Sequence, residues 1–178
     1  MKRVKVIAGG LFYFMRVLAL IFGATAIYSI IVLGLSVLGG PTWLPINITD
    51  GQFTILYPVT STPFLIGDYT AAYLVPTLLV VLFYTLFMFV LSSLFKALMQ
   101  RKIFVRKSIV LLDRFYKINF VVPAAILLSS VLYGNESNDI KDYIMICFLH
   151  AVIGVFAFFM AAIFREGYVL QEEQDLTL

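Results

Sequence analysis

The stretch that decides the fold is AAYLVPTLLVVLFYTLFMFVLSSLF, Ala71 to Phe95, which contains no charged residue and is closed by Lys96. A run of about 18 or more apolar residues is long enough to cross a hydrocarbon core roughly 30 Å thick. Backbone N–H and C=O groups cannot lack hydrogen-bond partners in lipid, so such a run is expected to be a helix rather than an open strand. This stretch therefore predicts a transmembrane helix.

Three further runs repeat this pattern: Val17 to Leu38, Phe115 to Tyr133 and Tyr143 to Phe164. The third run along the chain carries Lys117 near one end, where a long side chain can reach the lipid headgroups. Across the chain 62% of residues are hydrophobic and 13% are charged, whereas a soluble domain has roughly 25% charged residues. We predict an all-α integral membrane protein, a single membrane domain over residues 1–178 with transmembrane helices at about 17–38, 71–95, 115–133 and 143–164.

The basic residues predict the orientation of these helices. If the chain crosses the membrane four times, 12 of its 13 Lys and Arg residues fall on one side, and only Lys141 falls on the other. The positive-inside rule then places both termini in the cytoplasm. This gives an outer loop at 39–70, a cytoplasmic loop at 96–114 and a cytoplasmic tail at 165–178. The net charge of +3 is thus explained by topology, and we do not expect direct binding to nucleic acid.

Within the outer loop, INITDGQFTILYPV (residues 46–59) alternates apolar and polar residues on both sides of Asp50-Gly51. Asp-Gly favours a tight hairpin turn, because both central positions of that turn need positive φ. We predict a small extracytoplasmic β-hairpin between the first two transmembrane helices. It is either a structured connection on the bilayer or a surface for sensing or partner binding.

The cytoplasmic loop KALMQRKIFVRKSIVLLDRFYK alternates basic and apolar residues, as in a short helix lying in the headgroup layer. It is either a linker in contact with lipid or a docking surface for a cytoplasmic partner. The bases and the apolar residues that define this alternation are Lys96, Arg101, Lys102, Arg106 and Lys107, with Ile103, Phe104, Ile109, Leu111 and Leu112.

Candidate metal ligands are few. Cys147 and His150 are three residues apart and share one face of the predicted fourth helix. Two ligands do not complete a metal site, and the chain has one Cys and one His. We therefore expect neither a metal nor another cofactor, and we predict that His150 is buried and hydrogen-bonded between helices.

Catalytic groups are also missing from the sequence. The pairs Ser92-Ser93 and Ser129-Ser130 lie in apolar runs, where hydroxyls usually bond back to the helix backbone. No carboxylate lies in the predicted hydrocarbon region, and no phosphate-binding glycine loop is present. We expect a protein that is not an enzyme. The scarcity of polar residues in the predicted spans also counts against an ion or proton pathway, which normally needs them.

The ending FREGYVLQEEQDLTL closely resembles the C-terminal signature of the bacterial domain-of-unknown-function family 2975. A weaker resemblance lies in KIFVRKSIVLLDRF, where Phe104 matches the family's glycine-x-Phe segment, but Gln100-Arg101-Lys102 replaces its usual glycine. The matching residues of the ending are Phe164, Arg165, Gly167, Leu170, Gln171, Glu172, Glu173, Asp175, Leu176 and Thr177.

The resemblance implies a small four-helix, multi-pass protein of the bacterial inner membrane. Members of this family are often encoded beside a small helix-turn-helix regulator, which suggests a membrane protein that holds or modulates a cytoplasmic transcription factor. An acidic tail can meet a basic DNA-binding module, or it can act as a latch on the basic loop of its own chain. The candidate partner-binding residues are Arg165, Gly167, Gln171, Glu172, Glu173, Asp175, Leu176 and Thr177.

The expected partners are thus the lipid bilayer and a cytoplasmic helix-turn-helix regulator, and a homo-oligomer is compatible with the sequence. The alternative function is a small oligomeric transporter or channel component.

Overall fold

The computed structural model describes residues 2–39, 43–100, 102–133 and 137–176. It is mostly helical, and four of its helices are long and apolar enough to cross a membrane. Each predicted run lies inside one of these helices to within one residue. The helices are α1 (Lys2–Val37), α2 (Ala71–Leu98), α3 (Arg106–Leu132) and α4 (Ser137–Leu176).

The helices pack in chain order, α1 on α2, α2 on α3 and α3 on α4. Consecutive helices are antiparallel, so the C-termini of α1 and α3 and the N-termini of α2 and α4 lie together. We call this the sheet end, and the opposite end of the helices is the tail end. The core between α2, α3 and α4 is built mainly from large apolar side chains, among them Phe83, Phe87, Phe115 and Ile126.

The predicted hairpin is confirmed and is part of a larger sheet. β1 (Ile46–Thr49) and β2 (Gln52–Leu56) pair antiparallel, and the turn between them has φ of 53° at Asp50 and 78° at Gly51. A third strand, β3 (Pro63–Asp68), pairs antiparallel with β2, which gives the order β1-β2-β3. The sequence did not predict this third strand.

The sheet is fixed to the helices by its central strand. Phe53 and Ile55 of β2 are fully buried and pack against Val32 and Leu33 of α1, with part of α2 alongside. The alternation of buried and exposed residues along β2 follows the two-residue period of a strand. The sheet therefore packs directly on α1 and α2.

The segment 96–114 differs from the prediction, because its described residues form no helix separate from α2 and α3. Residues 96–98 complete α2, and Arg106 begins α3, which continues without a break into the apolar run. The described part of the non-helical connection between α2 and α3 is short. Pro123 lies inside α3, and proline is tolerated within membrane helices. Of the basic residues of this loop, Arg106 and Lys107 therefore lie on the first turn of α3, while Lys96 belongs to α2 and Lys102 to the connection.

Helix α4 is also longer than its apolar run. It begins at Ser137, six residues before the predicted apolar run, and it continues through the tail to Leu176. Leu, Gln and Glu in the tail have high helix propensity. The tail thus continues α4 as part of the same helix.

Candidate functional site at the tail end

The tail continues the axis of α4 beyond the apolar run that ends at Phe164. Its acidic residues Glu166, Glu172, Glu173 and Asp175 are all exposed. A helix presents residues three and four apart on one face, so the tail has one face directed at α3 and other faces open. The contacts with α3 and with the connection before it determine which residues are open.

One of these contacts joins the two segments that carry the family resemblance. The Phe104 ring lies over Gly167, where a Cβ atom would come within 2.7 Å of the ring carbon Cδ1. The same ring packs edge-on against Phe164, with centroids 5.1 Å apart. Any side chain at position 167 would occupy the place of the ring. The glycine is therefore required by this packing, since its helical backbone could be adopted by other residues.

An ion pair lies about half a turn from Gly167, on the side of the apolar run. Nη2 of Arg165 donates to both carboxylate oxygens of Asp113 in α3, at 2.7 and 2.8 Å. The Asp113 carboxylate raises the pKa of the Arg165 guanidinium, first through this hydrogen bond and then through coulombic attraction. Sequence reasoning did not select Asp113 as a site residue. The sequence feature that could have identified Asp113 is that it is the one acidic residue in the basic stretch 96–117.

A second ion pair ties the end of the tail to the preceding connection. Lys102 Nζ donates to Asp175 at 2.7 Å, and both side chains are 57% exposed. Exposed pairs of this kind contribute about 1 kcal/mol or less. Tyr168 donates its hydroxyl to Glu172 within the tail, and that hydrogen bond is the main cause of the raised pKa of Tyr168.

Apolar packing supports the polar contacts. Leu112, Ala161 and Phe164 are buried together, and Leu98 and Ile109 pack against them. Burial of apolar surface contributes more to stability than the exposed ion pairs do. The tail is consequently held on α3 by a hydrophobic base, with the ion pairs fixing its direction.

Beside the Phe104–Gly167 contact lies an open groove of about 630 Å³. Its floor is apolar, and polar residues of the tail form its rim. The lining residues are Phe104, Ala162, Ile163, Glu166, Gly167, Leu170, Gln171 and Gln174.

The structure places the predicted site residues in three groups. Arg165, Gly167, Glu172 and Asp175 make the intramolecular contacts described above, and Gln171 lies in the groove. Glu173 and Leu176 are exposed. Thr177 lies outside the described residues, as does Arg101 in the basic loop. One acidic residue of the tail, Asp175, thus contacts a basic residue of the loop before α3, Lys102.

Polar groups are also buried inside the helices. His150 is 2% exposed and Asn119 is 1% exposed, and His150 Nδ1 lies 2.7 Å from Asn119 Oδ1. Because Asn119 Nδ2 donates to the Phe115 carbonyl at 2.7 Å, Oδ1 is the acceptor and Nδ1 carries the proton. This confirms the predicted His150 hydrogen bond between helices. We did not predict that Asn119 is the partner of His150, although a polar amide within an apolar run is rare and indicates an interaction inside the helix bundle.

The side chains around His150 are aromatic. The rings of Phe83 and Phe87 have centroids 4.6 and 5.2 Å from that of His150, and Nε2 has no hydrogen-bond partner among the described residues. Over the same parts of the chain, no group of three or more His, Cys, Asp or Glu side chains could hold a metal ion. In the two serine pairs, Ser92 and Ser129 donate their hydroxyls to backbone carbonyls, as predicted.

Comparison with known proteins identifies one related family. The profile of the family described as "Protein of unknown function (DUF2975)" matches residues 54–178. This match includes α2, α3 and α4 and both sides of the Phe104–Gly167 contact. No curated protein and no solved structure matches the chain.

Proposed function

This chain belongs to the DUF2975 family of proteins of unknown function, and from that premise we propose that it is a non-enzymatic membrane protein whose tail docks a basic cytoplasmic protein. We place it in the bacterial cytoplasmic membrane with both termini inside. The basic residues support this orientation, because all but Lys141 belong to the tail-end side of the predicted topology and basic residues favour the cytoplasmic side.

The observation that carries the proposal is that the acidic tail is a fixed helix. Phe104 over Gly167, together with the Arg165–Asp113 pair, sets the rotation of the tail relative to α3. A preordered surface loses less conformational entropy on binding than a disordered tail. The tail of this protein therefore presents the same acidic face each time that a partner approaches.

The groove beside this contact indicates the chemistry of the partner. Ile163 and Leu170 give it an apolar floor, and Glu166 stands on its rim. An amphipathic helix lays its apolar face into such a groove, and basic residues at the edges of that helix would meet the acidic rim. A helix-turn-helix regulator offers both properties, and it is the partner that the family resemblance suggests.

The test uses the full chain in lipid nanodiscs and the helix-turn-helix regulator encoded beside its gene, with binding measured by interferometry. Glu166→Lys reverses the charge on the groove rim and is expected to weaken binding on the order of tenfold or more, within the range measured for charged groups at interfaces. Asp142→Lys makes the same charge change at the sheet end and serves as the control.

Binding that is unchanged by Glu166→Lys and by deletion of residues 165–178 would overturn the proposal. Charge reversal at Glu172 and Glu173 separates the two roles of the tail. Loss of stability alone supports a purely internal latch, whereas loss of binding with stability retained supports docking.

A further inference from the structure

A second charged surface lies on the first turns of α3, away from the tail groove. Arg106, Lys107 and Arg114 are exposed there and surround an open cleft of about 370 Å³ whose apolar residues are Val110 and Leu111. The spacing of these five residues places them on one side of the helix. Three cations thus converge around an apolar floor.

The cations of this cleft are not paired with any described carboxylate, although Arg106 lies near enough to Tyr168 of the tail to interact with it coulombically. Asp113 is next to Arg114 in sequence, but its carboxylate is engaged by Arg165 of α4. Asp175 of the tail is bound by Lys102. Within the ranges that the structure describes, no ion pair involves any of the three cleft cations. The first turn of α3 also contains no acidic residue, and its free backbone N–H groups add to the positive potential.

Lys117 is exposed on the same side of α3 one turn beyond Arg114, and after it this side becomes apolar. Val121 and Leu128 follow Lys107 and Arg114 at intervals of seven residues, so the four lie close to one line along the helix. Val121, Leu128 and Leu132 are each more than half exposed. From Arg114 to Leu132 the helix rises about 27 Å, which is close to the roughly 30 Å thickness of a hydrocarbon core. A cationic cleft therefore stands directly above an apolar track that crosses the membrane.

We propose that this cleft is a binding site for an anionic phospholipid, whose phosphate is held by Arg106, Lys107 and Arg114 while an acyl chain lies along Val121 and Leu128. Guanidinium groups suit phosphate because they can donate two parallel hydrogen bonds. A soluble phosphate would use the three cations but would gain nothing from the apolar floor and track. The site differs from the tail groove in helix, charge and ligand, so it does not depend on the proposed docking function.

The experiment titrates the purified full chain with phosphatidylglycerol and counts bound lipids by native mass spectrometry, with phosphatidylcholine as the neutral comparison. The triple variant Arg106→Gln, Lys107→Gln, Arg114→Gln removes the cleft cations. At roughly fivefold per basic residue, its affinity for phosphatidylglycerol is expected to fall on the order of 100-fold. The single variant Arg114→Gln, with an expected loss of about fivefold, provides the test if the triple variant does not fold.

The matched control is Arg3→Gln, Lys5→Gln, Lys141→Gln, which removes three positive charges elsewhere and is expected to retain the bound lipid. An equal loss in this control would show diffuse attraction and would overturn the site. Competition by glycerol phosphate as effective as that of the whole lipid would reassign the cleft to a soluble phosphate and overturn the lipid proposal. If phosphatidylcholine bound as tightly as phosphatidylglycerol, the cleft would not select an anionic headgroup, and this too would overturn the lipid proposal.

Discussion

Replacing Gly167 by Ala tests whether the Phe104 ring fixes the tail. Two effects oppose each other in this variant. Ala is favoured over Gly in a helix by about 1 kcal/mol, whereas forcing a methyl group into packed space typically costs roughly 1–3 kcal/mol. A Cβ at 2.7 Å from Cδ1, 2.8 Å from Cε1 and 2.9 Å from Cγ of Phe104 meets the base of the ring as well as its edge. The whole ring must therefore move, and Phe164 restricts that movement.

We expect Gly167→Ala to lower the free energy of opening of the tail by up to about 2 kcal/mol. In the background Phe104→Ala the obstruction is gone, so the same substitution should stabilise the tail by about 1 kcal/mol. The coupling between the two substitutions is then roughly 1–3 kcal/mol. Because 1.4 kcal/mol is about a factor of ten, this coupling corresponds to a difference of roughly 5- to 150-fold between the effects of Gly167→Ala on tail exchange with and without the Phe104 ring.

The measurement is hydrogen–deuterium exchange of the amides at 168–176, which reports local opening, on protein in nanodiscs. Gly10→Ala is the control, since a Cβ at Gly10 meets no atom within 4 Å, and tail exchange should not change. If Gly167→Ala slowed tail exchange equally with and without the Phe104 ring, the ring would not hold the tail, and the rigid acidic surface would lose its basis.

Two further predictions concern buried polar groups, and both are measured by thermal unfolding in detergent. Asn119→Leu removes the acceptor of His150 Nδ1–H and should destabilise the protein by about 1–3 kcal/mol. The double variant Asn119→Leu, His150→Phe should recover most of that loss. If stability were not recovered, the unpaired His150 N–H would not be the cause of the destabilisation. Ser108 has a buried hydroxyl without a hydrogen-bond partner among the described residues, beside an apolar cavity of about 150 Å³. Ser108→Ala should therefore be neutral or stabilising by up to about 1 kcal/mol. A destabilisation by more than about 1 kcal/mol would show that the hydroxyl has a partner.

The transmembrane helices and the hairpin were predictable because their causes are local. A run without charge, such as Ala71 to Phe95, fits lipid by length and composition alone. Asp50-Gly51 specifies its own turn. The third strand was not predictable in this way, since Pro63 and Gly67 are poor strand residues. Gly67 is accommodated by a tertiary contact, where the Tyr73 ring fills the space of a side chain.

The candidate site was predictable in composition but not in arrangement. The resemblance selected Gly167 and Phe104 separately, and only the fold shows that each occupies the space left by the other. Asp113 was visible as an isolated acid, but its partner depends on how α3 and α4 align. Contacts between residues 50 or more positions apart depend on helix packing, and a single sequence does not encode that alignment in any local pattern.

The length of α4 has a mechanical consequence. Its 40 residues run as one helix from Ser137 to Leu176 without a proline, which corresponds to about 60 Å. A rod of that length pivoting by about 10° at its midpoint moves each tip by about 5 Å, in opposite directions. Movement imposed on the sheet end of α4 would thus displace the acidic tail in the opposite direction, with no proline between the two ends at which the helix could bend.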